Sequence, residues 1–349
     1  MQVAIDISPL ESGHSVRGVG FYLRNLKAAL EKGFSNISFT FFTQTKNIPN
    51  KADLVHFPYF DPFFLTLPWL GSNKKTIVTV HDLTPLIFPE SFPIGIKGKI
   101  KWMIQRYLLK KVDAIITDSN SSKKDIIKIL NFPEEKIFVA YLAAAHHFRV
   151  LGKEGLKKIK EKYDLPDNFL LYVGDVTPNK NLPRLIKAVL CTNVPLVMVG
   201  KALVNENIDL SNPWNKDLKE VLELAKGKDQ IRRLGFVEDE ELVGLYNLAN
   251  AFIMPSLYEG FGLPLLEAMA CGCPVITTNN GSIPEVVGDG AYIVDGESIN
   301  DIEKGIREVI GNKSLAKKLS EKGLIMSKNF SWENTAKETV DVYTKVVSS

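Results

Sequence analysis

The sequence is poor in cysteine, in long apolar runs and in excess charge of either sign. Three cysteines in 349 residues exclude a disulfide scaffold and indicate a reducing compartment. No apolar run approaches the roughly 18–20 residues that span a bilayer. The 43 Lys and Arg against 40 Asp and Glu leave a net charge of +3, so no bulk field attracts nucleic acid. The opening residues MQVAIDISPL resemble a strand and lack the order of a signal peptide, which predicts a cytoplasmic protein.

Metal-binding patterns are missing as well. Cys271 and Cys273 stand two positions apart without the second pair that zinc needs, so we interpret them as small packing residues. No Asp-x-Asp pattern occurs at a candidate site. The sequence therefore predicts neither a metal ion nor another cofactor.

Short apolar runs alternate with longer amphipathic stretches along almost the whole chain. At roughly 100–200 residues per domain, the length predicts two domains. Continuous Val, Ile and Leu runs separated by helices are typical of parallel sheets covered on both faces, so we predict two doubly wound α/β domains. The predicted strands are Val3–Ile7, Ile37–Phe42, Leu54–Phe57, Thr76–Val80, Ala114–Thr117, Ile137–Tyr141, Phe169–Val173, Leu196–Val199, Arg232–Phe236, Ala251–Met254, Val275–Thr277 and Tyr292–Val294.

The limits of the two domains follow from the same pattern. A stretch with five lysines between 153 and 162 precedes the second set of strands, so we place the first domain at 1–150 and the second at 151–330. Residues 331–349 keep helical spacing and either cap the second domain or cross back to the first. Ligand is expected at the carboxyl ends of the strands, in a cleft where the two domains face each other. The predicted helices are Gly20–Glu31, Lys97–Lys111, Ser121–Leu130, Leu182–Leu190, Asp239–Leu248, Leu265–Ala270 and Ile299–Ile310.

The segment 256–275, SLYEGFGLPLLEAMACGCPV, carries most of the chemical information. Gly262 allows a tight turn, and Pro264 suits the first helical turn because its missing N–H costs nothing there. The amino end of the helix that Pro264 begins would present free N–H groups and partial positive charge to an anion. Glu259 and Glu267 lie eight positions apart, and carboxylates accept hydrogen bonds from hydroxyls. The pattern predicts a ligand with hydroxyls at both ends and phosphate between them.

Both carboxylates also have a plain structural interpretation. A glutamate in the first turn of a helix is stabilising without any ligand, and we place Glu267 there. Glu259 is harder to explain in this way. It stands between Tyr258 and Gly260 in an apolar surround, where an unpaired charge is costly.

The two glutamates and their surroundings resemble the E-x7-E motif of the retaining glycosyltransferases of family 4. That family has the GT-B fold of two Rossmann-like α/β domains, and this chain looks most similar to its mannosyltransferase branch. Further segments resemble the family in order along nearly the whole chain. They are RGVG at 17–20 with Tyr22, TVHDLTP at 79–85, DSNSS at 118–122, YVGDVTPNKN at 172–181, GFVEDEE at 235–241 and GSIPE at 281–285.

The resemblance implies a role for each matching side chain. The nucleotide sugar would lie mainly on the second domain, with Glu267 on the ribose hydroxyls and Glu259 facing the donor sugar. Lys180 would neutralise the diphosphate, and His81 would position the sugar beside the acceptor. The implied catalytic residues are therefore His81, Lys180 and Glu259. For His81, the structural alternative is a strand-end histidine hydrogen-bonded to Asp82.

The resemblance also implies that backbone groups bind the donor. Gly18 and Gly20 would form a loop of the first domain that closes over the phosphates. The region 235–237, with Phe236 and Val237, would border the base. Residues 260–263 would bind the sugar hydroxyls and the diphosphate, and these are Gly260, Phe261, Gly262 and Leu263.

The implied reaction retains the anomeric configuration through front-face attack on an oxocarbenium-like ion, with the leaving phosphate taking the acceptor's proton. In the absence of a metal, Lys180 and the helix end would stabilise the leaving group. One departure from the family is plain, since relatives commonly have Arg–Lys where this chain has Asn179–Lys180, and others have Arg at Asp175. The candidates for the missing cation are Arg17, Arg184 and Lys201.

We therefore predict a metal-independent hexosyltransferase that acts on a glycan or lipid-linked acceptor. GDP-mannose is the first choice of donor and a UDP-hexose the second. We consider three alternatives, and the sequence argues against the first two. A UDP-N-acetylglucosamine 2-epimerase would need further carboxylates in the cleft, and a nicotinamide enzyme would need a third glycine where Leu23 stands. A non-catalytic sugar-nucleotide binder or partner subunit is the third.

Two segments bear on contact with a membrane. The segment 57–70, FPYFDPFFLTLPWL, concentrates aromatics and prolines, and 97–111, KGKIKWMIQRYLLKK, alternates basic with apolar residues. They could form an acceptor-binding rim and a helix resting on the anionic inner face of the cell membrane. We favour a core helix with a solvated lysine face for the second segment, and weigh rim and buried loop equally for the first.

Overall fold

The fold is described from a computed structural model, which covers residues 1–13, 15, 18–69 and 74–349, without the side chain of Lys153. Arg17 and Leu70, which the sequence analysis singles out, lie outside these residues. The chain divides into two compact units. The first consists of Met1–Pro89, Ile94–Ala143 and Phe330–Ser349, and the second of Glu90–Pro93 and Ala144–Asn329.

The first unit contains a parallel sheet of six strands in the order β2-β1-β3-β4-β5-β6. All four residues of β3 and of β5 are buried, as expected for strands covered on both faces. The direction of winding reverses between β1 and β3. The strands are β1 (Gln2–Asp6), β2 (Ser38–Phe42), β3 (Leu54–Phe57), β4 (Lys75–Thr79), β5 (Ala114–Thr117) and β6 (Ile137–Val139).

The second unit contains a parallel sheet of six strands in the order β12-β11-β10-β7-β8-β9. Numbered within the unit, this is the 3-2-1-4-5-6 order of the Rossmann fold, with its switch point between β7 and β10. The strands are β7 (Leu170–Val173), β8 (Leu196–Val199), β9 (Ile231–Arg233), β10 (Ala251–Met254), β11 (Val275–Thr277) and β12 (Ala291–Ile293).

Helices connect the strands of both sheets, so the predicted α/β class with two doubly wound sheets is confirmed. The helices of the first unit are α1 (Gly18–Gly33), α2 (Thr84–Ile87), α3 (Ile96–Leu109), α4 (Asn120–Leu130) and α13 (Trp332–Ser348). Those of the second are α5 (Lys153–Lys162), α6 (Leu182–Leu190), α7 (Lys216–Ala225), α8 (Asp239–Leu248), α9 (Leu263–Ala270), α10 (Ile283–Val287), α11 (Ile299–Gly311) and α12 (Lys313–Ser327).

The twelve predicted strands are all present, and the differences lie at their ends. The largest occurs at β9, which ends at Arg233 and not at Phe236. The lysine-rich stretch placed at the domain boundary forms helix α5. A Cβ on Gly244 of α8 would lie 2.8 Å from Cγ1 of Ile159, so the glycine makes room for α5 to pack closely.

The last helix, α13, belongs to the first unit although it ends the chain. The ring of Trp332 packs against the rings of Phe21 and Tyr22 of α1, with centroids 6.3 and 6.2 Å away. The Tyr343 hydroxyl lies 2.6 Å from Nδ1 of His56 on β3. The first core is therefore closed by residues from both ends of the sequence.

Helix α3 differs from the predicted core helix. It buries Gln105, Leu108 and Leu109, but the apolar side chains of Ile100 and Met103 are exposed. In the aromatic segment before it, the side chains of Phe60 and Phe63 are buried, whereas those of Phe64, Leu65 and Trp69 are exposed. No helix within the described ranges combines the length and the apolar character needed to cross a membrane.

Candidate active site

The predicted donor residues of the second unit follow the two strands that flank its switch point. Lys180 ends a short 3-10 turn, Pro178–Lys180, which follows β7. Glu259 lies in the loop between β10 and α9. Because β7 and β10 are hydrogen-bonded neighbours, their carboxyl ends bring the two loops together at the sheet edge where doubly wound folds bind ligands.

Lys180 and Glu259 form a two-pronged ion pair. Nζ of Lys180 lies 2.8 Å from both Oε1 and Oε2 of Glu259. The two side chains are 17% and 8% exposed. A charge this poorly hydrated is costly unless it is paired, and the contact satisfies each partner's charge. The arrangement holds an ammonium group at the sheet edge without leaving it buried alone.

Gly281 and Ser282 contact the backbone of the loop that carries Glu259 and restrain it. The Ser282 hydroxyl donates to the carbonyl oxygens of Glu259, at 3.0 Å, and Phe261, at 2.9 Å. A Cβ on Gly281, whose φ is +60°, would lie 2.6 Å from the Glu259 carbonyl oxygen. Only glycine permits this approach at that φ. The matched segment 281–285 thus has a positioning role that the sequence analysis did not assign.

Helix α9 begins at Leu263, one residue before the predicted start. Gly262 precedes it in a left-handed conformation with φ +95°, and Pro264 occupies the first turn. In the first turn of α9, Pro264 has no N–H and Leu265 N donates to the Gly262 carbonyl oxygen at 2.9 Å, so the helix offers an anion the N–H of Leu263 and the partial positive charge of its amino end. Gly260, Phe261 and Gly262 are buried.

Glu267 lies in the second turn of α9, so its predicted place in the first turn is wrong. The structural explanation through the helix dipole therefore fails, because that effect falls off within the first turn. The side chain is buried, and Oε2 accepts a hydrogen bond of 2.9 Å from the Tyr246 hydroxyl. Burial raises the pKa of Glu267 to about 7, against the lowering effect of the Tyr246 bond. A carboxylate held at this cost is typical of a functional site.

Asn179, the position where the resemblance implies an arginine, makes its hydrogen bonds within the neighbouring loops. Its Oδ1 accepts from the Thr177 hydroxyl at 2.8 Å, and its Nδ2 donates to the Tyr258 carbonyl at 3.0 Å. The backbone carbonyl of Asn179 also accepts from Leu257 N at 2.7 Å. Asn179 therefore ties the Lys180 turn to the Glu259 loop and supplies no charge.

The two described candidates for the missing cation, Arg184 and Lys201, differ in whether their side chains have partners. Arg184 on α6 donates through Nη1 to Oδ1 of Asn181, at 2.9 Å. Lys201 follows β8 at the same edge of the sheet, is exposed, and makes no hydrogen bond or ion pair to the described part of the chain. Asp175 is exposed and adds a negative charge near this edge.

The loop 235–237, predicted to border the base, follows β9. The Phe236 side chain is 51% exposed, whereas Val237 is buried. Gly235 has φ +61°, and a Cβ there would lie 2.6 Å from Cγ2 of Val204. An exposed aromatic ring on a fixed loop is a suitable surface for stacking a base.

His81 lies in the first unit, after β4. Its Nδ1 is 2.7 Å from Oδ2 of Asp118, and its Nε2 is 3.2 Å from the Pro58 carbonyl oxygen. Asp82, the partner in the structural alternative, instead accepts from Thr84 N at 2.8 Å. Burial lowers the pKa of His81, but the charge and hydrogen bond of Asp118, together with the charge of Asp82 and the contact with Pro58, outweigh it, so the pKa is raised overall.

Asp118 follows β5, the strand next to β4, which explains the pairing. It is buried, and its Oδ1 has no hydrogen-bond partner among the described residues. The segment 118–122 was matched to the family without a role for the aspartate. The feature that could have identified Asp118 from the sequence is its position at the carboxyl end of the predicted strand that follows the His81 strand.

The predicted loop conformation at Gly18 and Gly20 is wrong, whereas their predicted role in binding the phosphates stays a prediction. Both glycines lie in the first turn of α1, because the apolar stripe of Tyr22, Leu23 and Leu26 extends the helix to Gly18. What these positions offer is a helix amino end and not a loop.

The two cysteines after α9 are buried and free. Burial raises the pKa of Cys271 to about 12, which makes it an inert thiol. In the described part of the chain, no group of three His, Cys, Asp or Glu side chains has the placement to hold a metal ion.

Two family models match the chain. The one described as "Glycosyl transferases group 1" matches residues 155–325, and "Glycosyltransferase Family 4" matches residues 29–144. The chain is 32% identical to O-antigen chain mannosyltransferase B of Escherichia coli over 281 residues, which is 77% of this chain and 70% of that protein. It is 30% identical to the serotype-specific mannosyltransferase WbdA of Escherichia coli over 301 residues, 83% of this chain but 36% of WbdA.

The fold has close counterparts among solved structures. The structure of sucrose-phosphate synthase from Thermosynechococcus elongatus superposes with a TM-score of 0.77 at 18% identity, over 100% of this chain and 99% of that one. The predicted GT-B fold class is thereby confirmed. With both halves matched by family models and a relative at 32% identity, the chain belongs to the group 1 and family 4 glycosyltransferases and is an enzyme of that class.

Proposed function

We propose that this enzyme transfers mannose from GDP-mannose to a hydroxyl of a growing polysaccharide or lipid-linked glycan, with retention and without a metal. The second unit takes the donor, and the first unit takes the acceptor. The Lys180–Glu259 ion pair beside the start of α9 is the observation that carries the donor assignment. The mannosyltransferase names of the relatives favour mannose as the sugar.

Lys180 and the amino end of α9 stabilise the leaving group. Cleavage of the sugar–phosphate bond leaves a nucleoside diphosphate with more negative charge than the donor carried. A preorganised ammonium group and the partial positive charge at the amino end of α9 bind that charge more strongly as it develops, so they lower the barrier. The ion pair with Glu259 keeps the ammonium in place before the donor arrives.

Glu259 orients Lys180 and accepts hydrogen bonds from the donor sugar. Both of its oxygens contact the ammonium group, which lowers their nucleophilicity. This contact favours front-face attack over a covalent glycosyl-enzyme. Lys201 supplies the second positive charge, because it is exposed at the same sheet edge and has no competing partner among the described residues.

The His81–Asp118 pair serves the acceptor side. Asp118 fixes the ring orientation of His81 and favours its protonated form. To donate a hydrogen bond to a sugar hydroxyl, Nε2 of His81 exchanges its 3.2 Å contact with the Pro58 carbonyl oxygen for the hydroxyl. A UDP-hexose is the second choice of donor. The loop that carries Phe236 distinguishes guanine from uracil.

The donor assignment is tested by a thermal-shift screen of the protein against GDP, UDP, ADP and their hexose conjugates. A ligand that binds only the folded protein at 100 times its Kd stabilises it by about 2.7 kcal/mol. We expect the largest rise in melting temperature with GDP and GDP-mannose. A larger rise with UDP would indicate that the donor is a UDP-hexose. Tight binding of GDP-mannose with no turnover on any acceptor would favour a non-catalytic binder.

Glu267 should make both stability and nucleotide affinity depend on pH. Its folded pKa of about 7 exceeds the ordinary 4.5, so the folded protein binds the extra proton and loses stability as pH rises from about 4.5 to 7. Glu267→Gln should therefore raise the free energy of unfolding at pH 8 by about 2–3 kcal/mol more than at pH 4. It should also abolish the gain in nucleotide affinity that the wild type shows as pH rises to 7.

Urea titrations at the two pH values measure this difference. Glu308→Gln, which removes an exposed carboxylate from α11, is the control and should change stability equally at both. If Glu267→Gln changed the free energy of unfolding by the same amount at pH 4 and pH 8, the raised pKa of Glu267 would be contradicted.

Lys180→Ala should lower kcat at saturating donor by roughly a hundredfold or more, as removal of a charge partner of the transition state does. Lys187→Ala on α6 removes a more exposed lysine paired with Glu220 and should leave kcat within about twofold. Melting temperatures of both variants control for folding. Wild-type kcat in Lys180→Ala would refute our account of the leaving group.

Asp118→Asn should lower the pKa of His81, because it removes the charge that opposes the effect of burial. We expect kcat to fall about 10- to 100-fold through loss of ring orientation. The His81 titration is followed by NMR, with Glu31→Gln on α1 as a surface control. An unchanged His81 pKa would remove Asp118 from this role.

A further inference from the structure

Helix α3 presents an apolar stripe to solvent on the side opposite its buried face. Ile96, Ile100, Met103 and Tyr107 follow one another at steps of four, three and four residues, so they share one face of the helix. Ile96 is 79% exposed and Met103 63% exposed. The buried residues of α3, such as Gln105, lie on the other side. A helix that only covers a core would have polar residues at the exposed positions.

The loop before β4 extends this stripe. Phe64, Leu65 and Trp69 are all more than half exposed. The Trp69 ring stacks on Tyr107 with centroids 5.7 Å apart. Oε1 of the buried Gln105 accepts from Thr66 N at 3.3 Å and from the Thr66 hydroxyl at 3.0 Å, so α3 fixes the loop.

The apolar side chains form one patch and are not scattered. Fourteen large apolar side chains are exposed among the described residues, and eight of them belong to α3 and the loop at 64–69. Soluble monomers rarely expose so much contiguous apolar surface without a partner. We call these eight side chains, with the basic residues between them, the α3 surface.

The charge of the α3 surface has one sign. Between 94 and 111 the chain carries six basic residues and no acidic one, against a net charge of +3 for the whole protein. Nζ of Lys111 lies 4.2 Å from the centroid of Tyr107 and 5.4 Å from that of Trp69, and Nζ of Lys101 lies 5.0 Å from that of Phe64. The cations therefore rim the apolar stripe at close range.

We propose that the α3 surface binds an anionic lipid bilayer, with the apolar stripe entering the headgroup region and the lysines contacting lipid phosphates. Apolar stripes flanked by Lys and Arg and carrying aromatic rings are what such a surface requires. A second copy of this chain fits poorly, because a symmetric contact would bring the basic residues of both copies together. Nucleic acid would use the charges but not the exposed isoleucines.

The proposal is independent of the donor and of turnover, so vesicle binding tests it separately from the proposed transferase. The full-length protein is incubated with vesicles of phosphatidylcholine alone or mixed with phosphatidylglycerol, and the bound fraction is measured by flotation. We expect binding to the mixed vesicles only, and weaker binding at high salt, where charges are screened.

Two variants separate the charges from the apolar stripe. Replacing Lys99, Arg106 and Lys110 by Gln should lower the partition coefficient about a hundredfold, since each charge contributes about fivefold. Ile100→Gln with Met103→Gln should lower it about tenfold for each side chain. All five residues are exposed. The melting temperature of each variant is compared with that of the wild type to check that it folds.

Helix α12 provides the matched controls. Replacing its exposed Lys313, Lys317 and Lys318 by Gln removes the same charge, and Ile325→Gln removes a side chain that is 68% exposed. Both controls should bind vesicles as the wild type does. Absence of wild-type binding to mixed vesicles at low salt would overturn the proposal, and so would an equal loss in the α12 controls. A concentration-dependent dimer that the Ile100 and Met103 changes abolish, without vesicle binding, would assign the surface to self-association instead.

Discussion

The contact between Lys180 and Glu259 is the interaction on which the proposed donor site depends. It joins the loop after β7 to the loop after β10, and these loops meet only because the chain reverses its winding between those strands. Each side chain alone would be a poorly hydrated charge, which the fold could not keep at low cost. Together they hold an ammonium group where the loops after β7 and β10 meet.

Neutral polar side chains make this arrangement rigid. Asn179, Asn181 and Ser282 each bond to backbone carbonyl oxygens of other loops. Such bonds remove freedom from irregular backbone that no strand or helix restrains. Asn179 in particular carries no charge and links the two loops. The position of the Lys180 ammonium group therefore depends on uncharged side chains that fix the two loops.

The first unit is built around a buried polar chain. His56 lies between the hydroxyls of Tyr343 and Thr79, and Tyr22 shares the Thr79 hydroxyl at 3.1 Å. Burial, with repulsion from His81, lowers the pKa of His56 to about 3, so this ring is neutral while His81 is favoured in its charged form. Two histidines one strand apart thus differ in charge because only one has a carboxylate partner.

The sequence by itself determined the two parallel sheets, nearly every strand, and Lys180 and Glu259 as a pair of interest, because apolar runs and a glycine-flanked motif are local properties. It also placed Glu267, though in the wrong turn. Only the tertiary structure decided which groups meet. Asp118 as the partner of His81, Tyr246 as that of Glu267, and the exposed stripe of α3 follow from which strands are neighbours and which helix face is covered. Those choices arise from contacts between residues far apart in the chain, and spacing along the sequence does not encode them.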